Sequence, residues 1–183
     1  MIRRLAVALA ALSACGKSGP APDVSVAPVT DRIVFSTGSG VSLDRSAETV
    51  GIASTIAVPA EQVYAALVAV YRDIKVPLTD ANQAQRILGN QSLKIRRSLG
   101  GVPMQNYVDC GGQSGQPNAE TFDLTLNIMS FVTAGADGGS TLTTRLSGVG
   151  SDPNHGQGNQ MRCSSTGELE ARIAKMVKLQ LIK

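Results

Sequence analysis

Hydrophobic and polar positions alternate most strictly over 121–128, where Phe122, Leu124, Leu126 and Ile128 fall on one side and Thr121, Asp123, Thr125 and Asn127 on the other. A period of two places alternate side chains on opposite faces of a strand, so this segment predicts a β-strand with one face in the core. A Gly/Asp turn over 135–139 leads into 141–147, where Leu142 and Leu146 alternate with Thr and Arg, predicting an antiparallel neighbour. The period changes to that of a helix after Val58-Pro59-Ala60-Glu61, a favourable entry because proline suits the first turn and Glu61 suits the positive end of the helix dipole. Val63, Leu67, Val70 and Ile74 then share one face with Tyr64 and Tyr71 beside them, opposite Glu61, Gln62, Arg72 and Asp73, and the helix must end before Pro77. A second amphipathic helix closes the chain, with Leu169, Ile173, Met176 and Val177 as its stripe and Glu168, Glu170, Arg172, Lys175 and Lys178 expected in solvent. Ser165-Thr166-Gly167-Glu168 reads as its capping box.

The remaining pieces are shorter. The pattern predicts strands at 32–35 and 50–58, separated by a Gly38-Ser39-Gly40 turn, and a hairpin of 85–88 with 93–98 about a Gly89-Asn90 turn. The order strands, long helix, antiparallel strands, helix predicts an α+β domain over 31–183, with both helices on one face of a curved antiparallel sheet in a helix-grip arrangement.

Upstream of that domain, Arg3 and Arg4 precede an apolar run from Leu5 to Leu12 that is too short to span a bilayer of ~30 Å. It ends in Leu12-Ser13-Ala14-Cys15, a tetrapeptide that resembles the lipobox of bacterial lipoproteins at all four positions. The resemblance implies a signal peptide over 1–14, acylation of Cys15 and membrane attachment. Gly16, rather than Asp, after that cysteine implies sorting to the outer membrane, facing the periplasm. Residues 16–30 carry three prolines and no amphipathic period, so with Cys15 they are expected to form an extended tether reaching at most ~50 Å.

With Cys15 assigned to lipid, Cys110 and Cys163 remain for an oxidising compartment, and a structural disulfide is favoured over free or metal-bound thiols. Two of the three net positive charges are Arg3 and Arg4, so bulk charge gives no reason to expect nucleic acid as a partner. Aromatic residues make up 3% of the chain and Trp is missing, which disfavours stacking platforms for single strands or sugars.

Candidate chemistry is sparse. His155, the one histidine, lies in a turn-forming loop beside Asp152 without a nucleophile motif. Gly112-Gln113-Ser114-Gly115-Gln116 lacks the closing glycine of a nucleophile elbow, and neither Gly38-Ser39-Gly40 nor Gly148-Val149-Gly150 completes a phosphate- or dinucleotide-binding motif. Asp109, Glu120 and Asp123 could converge at the start of the clearest strand, although Asp123 belongs to its polar face. Lys94, Arg96 and Arg97 form the one basic cluster, read first as a solvated or edge-protecting strand and otherwise as an anion or partner contact, with Lys94 and Arg96 on one strand face.

The element order over 50–183 resembles the small helix-grip domains of the C-component lipoprotein of the outer-membrane β-barrel assembly machinery. More distantly, the Val58-Pro59-Ala60-Glu61-Gln62-Val63-Tyr64 entry resembles START-type ligand carriers. The first resemblance implies a non-enzymatic envelope lipoprotein acting through protein contacts. The second implies a carrier of an apolar small molecule or lipid between the first helix and the sheet. Neither implies a metal or cofactor.

Overall fold

The computed structural model describes residues 26–31, 47–113, 115–154 and 160–182. The elements run β1 (Val26–Asp31), β2 (Ala47–Ile56), α1 (Ala60–Asp73), β3 (Asp80–Asn82), β4 (Ile87–Ile95), β5 (Ser98–Leu99), β6 (Val102–Pro103), a 3₁₀ turn (Met104–Asn106), β7 (Val108–Asp109), β8 (Gly112–Gln113) and β9 (Gln116–Pro117). They continue with α2 (Asn118–Thr121), β10 (Asp123–Ala134), β11 (Ser140–Ser151), β12 (Gln160–Ser165) and α3 (Glu168–Leu181).

This is the α+β class expected. An antiparallel sheet runs β1-β2-β11-β10-β4-β3, with β12 paired to β11 and then to β7. It is open rather than closed into a barrel, and α1 and α3 lie side by side on one of its faces, against β10, β11 and β2. β1 occupies the last residues of the stretch expected to be tether, because it pairs with β2 from Val26↔Ile52 to Asp31↔Ala47. The expected strand at 32–35, the Gly38-Ser39-Gly40 turn, the signal segment with Cys15, and His155 lie outside the described residues.

α1 begins after Pro59 as its sequence demands, and Val63, Leu67, Val70, Tyr71 and Ile74 are all buried. They meet Leu124, Leu126 and Ile128 of β10 and Leu142 and Leu146 of β11, each removed from water, which contributes about 1.5–3 kcal/mol per large aliphatic side chain. β10 runs six residues past Ile128, the alternation continuing through Ser130 to Val132.

The expected 85–88/93–98 hairpin is not formed. One strand, β4, crosses the predicted turn, and the hairpin lies one step earlier, between β3 and β4, with its turn over 83–86. Gly89 is there for close approach: a Cβ on it would lie 2.1 Å from the Ile128 carbonyl oxygen. Asn90 points inward and stabilises a bulge where β4 has one residue more than β10, between Leu126↔Leu93 and Ile128↔Asn90. Its Nδ2 donates to the Pro77 carbonyl at 2.7 Å and its Oδ1 accepts from the Ser92 amide at 2.9 Å.

The start of α3 also differs from the expected capping box. Gly167 takes the cap position with φ 88°, a conformation that favours glycine, and a Cβ there would lie 2.9 Å from Ile52 Cδ1. Ser165 Oγ accepts from the Gly167 amide and donates to Glu170 at 2.6 Å rather than serving Glu168. Glu170, expected in solvent, is 1% exposed.

Candidate functional site

Of the residues singled out for chemistry, the basic cluster is kept together at the surface. β4 pairs with β10 along one edge. On the other edge β3 covers only 87–89, so 91–95 have no strand partner among the described residues. Lys94 is exposed opposite Thr125. Arg96 lies one residue past the end of β4, not on the shared strand face expected for it. Its Nη2 donates to the Thr121 carbonyl at 3.3 Å and its Nε stands 3.5 Å from Asp123 Oδ1. Both side chains are half in water, so the pair contributes at most about 1 kcal/mol. Arg97 is exposed with φ 68° and turns the chain into β5, its carbonyl accepting from the Met104 amide. Beside this edge a concavity of about 390 Å³ opens between the β3–β4 hairpin and Met129, lined in part by Asp80, Asn82 and Gln91. An open edge offers backbone donors and acceptors to an added strand, and the cations favour a strand that carries carboxylates.

The acidic trio is not assembled. Asp109 Oδ1 accepts from the Gly111 amide, Asp123 faces Arg96, and Glu120 is half-buried on α2. Among the described residues no group of three or more His, Cys, Asp or Glu side chains is placed to hold a metal.

Cys110 and Cys163 are buried with Sγ atoms 2.02 Å apart and Cα atoms 4.1 Å apart, joining the end of β7 to β12 as expected. Beside the bridge, a Cβ on Gly150 would crowd Leu124 and Phe122 at 3.2 Å each while meeting Cys163 Sγ at an ordinary 3.5 Å.

The chain matches no protein-family model and no curated protein sequence.

What sequence reasoning missed is a polar cluster inside the core. Tyr71 OH and Ser130 Oγ share a hydrogen bond of 2.8 Å, and Ser130 Oγ and Thr144 Oγ1 share another of 2.8 Å, linking α1, β10 and β11. Burial pushes the Tyr71 phenol well above its usual range, against the hydrogen bond with Ser130, and the nearby Glu170 pushes in the same direction as burial. The signal was present, because Ser130 and Thr144 occupy core-facing positions of two alternating strands and pair directly. Tyr71→Phe should cost about 1 kcal/mol, because Ser130 keeps Thr144 as partner. Urea unfolding of the two proteins, with an unchanged slope, checks this.

The interior beneath α1 is occupied by Leu67, Val70, Leu126 and Ile128. The second concavity, about 240 Å³, lies outside that interior, beside Val68, Arg72 and the 76–78 segment. Among the described residues no helix is long and apolar enough to cross a membrane.

Proposed function

We propose that this protein is an outer-membrane lipoprotein, anchored through Cys15 and facing the periplasm, that acts without catalysis by binding another envelope protein. The Cys110–Cys163 pair carries the reading, since a buried disulfide suits an oxidising compartment. The Leu12-Ser13-Ala14-Cys15 signal supports the same address. The contact surface is the open edge of β4 with Lys94, Arg96 and Arg97, where an acidic strand of the partner would be seated. The filled space between α1 and the sheet favours contact over carriage of an apolar ligand, for which a pocket of roughly 300 Å³ or more is usual.

In cells fed a clickable fatty acid, the wild-type chain should be labelled and pellet with membranes, and Cys15→Ser should remain unlabelled. An unlabelled wild-type protein rules out the anchor. A photo-crosslinker at position 94 should trap a discrete protein adduct that one at the exposed Glu168 does not. A stoichiometric lipid with no position-dependent protein adduct would instead establish the carrier.

A further inference from the structure

β11 exposes one edge to two different strands. β2 pairs with it from Ser140 to Thr144 and β12 from Ser147 to Ser151, leaving Arg145 and Leu146 between them without a strand partner on that side. Glu170 fills this gap from α3, its Oε1 held by Ser165 at the end of β12, its carboxyl facing the Leu146 amide, and its Oε2 buried without a hydrogen-bond partner. A buried carboxylate with one oxygen unpaired costs more than the neutral acid in the same place, because the neutral form leaves no net charge out of water.

We infer that Glu170 is a proton-controlled latch, whose neutral carboxyl closes the break between β2 and β12 and whose ionisation loosens α3 from the sheet.

Among the described residues no cation faces the carboxyl; the groups that favour its anion are the Ser165 hydroxyl and the backbone amides of Glu170 and Leu146, and they leave Oε2 unpaired. From α1 the facing titratable group is the Tyr71 phenol, whose own proton is retained. From β12 it meets the Ser165 hydroxyl and from β11 the Leu146 amide. Arg145 turns to the opposite sheet face, 5.3 Å over the Phe131 ring. On α3 itself, Arg172 is engaged by Tyr107 OH and the Gly100 carbonyl, and Lys178 reaches Ser54 on β2. Glu168 is exposed, and no ion pair to Glu170 occurs among the described residues. Burial outweighs the Ser165 hydrogen bond, the Glu170 and Leu146 amides and the favourable first-turn position, and raises the acid's pKa. Stability from the neutral form is therefore full below the ordinary glutamate value, about 4.3, and is lost as pH rises toward and through the raised folded value. The disulfide holds β12 in either state, confining the loosening to α3 and its contact with β2.

Hydrogen exchange of the full-length protein, corrected for intrinsic rates, tests this over pH 5–8. In the wild type the opening constant of amides in 168–181 should rise by up to about tenfold per pH unit while Glu170 is ionising in the unlatched state only, whereas in Glu170→Gln it should stay flat. Parallel profiles overturn the inference. The wild type provides an independent check: a neutral carboxyl stretch in the infrared spectrum should persist above the ordinary glutamate range and vanish in Glu170→Gln. A spectrum without that band also overturns it.

Discussion

Replacing Cys110 and Cys163 together with alanine is expected to lower the free energy of unfolding by about 4 kcal/mol on the chain-entropy account, since the bridge spans 53 residues of sequence. In the unfolded chain that loop is closed only by the bridge. In the folded chain its ends are already brought together by β7, β11 and β12, of which β7 contributes just two residues to the pairing. Guanidinium or urea titration of the double variant should show an earlier midpoint and a steeper slope, because the unbridged chain exposes more surface when it unfolds. Reducing the wild type should reproduce the shift. A loss below about 1 kcal/mol would mean that residual structure in the unfolded chain replaces the constraint.

Gly89→Ala should be nearly as damaging, at about 3 kcal/mol. The added carbon would lie 2.1 Å from the Ile128 carbonyl oxygen and 2.9 Å from Met129 Cα. Both are backbone atoms, so no side-chain rotation relieves the overlap, and β4 must separate from β10 beside the Asn90 bulge. Gly101→Ala supplies the comparison. Its Cβ would meet nothing within 4 Å, leaving only the strain of φ +79°, about 1–2 kcal/mol. Thermal unfolding of both variants should show the Gly89 change costing about 2–4 °C more per kcal/mol of difference. Equal losses would show that the strand pair yields where the distances predict that it will not.

Gly89 marks where local sequence stops deciding the structure. Gly89-Asn90 has the composition of a tight turn, and nothing local separates that from a bulge. The distinction rests on the Pro77 carbonyl that Asn90 reaches and on the β10 backbone that Gly89 lies against. The basic cluster is similar: its residues were legible, but that the pairing with β3 reaches only as far as Gly89 of β4 and leaves the edge beyond it open is a matter of strand register.

Sequence alone determined the core faces of α1 and of β10 as far as Ile128, the entry at Pro59, the stop before Pro77, and the choice of Cys110 and Cys163 as a pair. Each depends on neighbours a few residues away, or, for the cysteines, on their number and on the expectation of export, and hydrophobic burial reads such periodicity directly. Tertiary structure decided that β10 continues through Ser130, because its hydroxyl is satisfied by Tyr71, 59 residues distant, and by Thr144 across the strand pair. It also decided that Glu170 is buried, because only the completed sheet has a break between β2 and β12 for that carboxyl to fill. A polar group's place depends on partners that the fold brings to it, and their sequence distance carries no periodic trace.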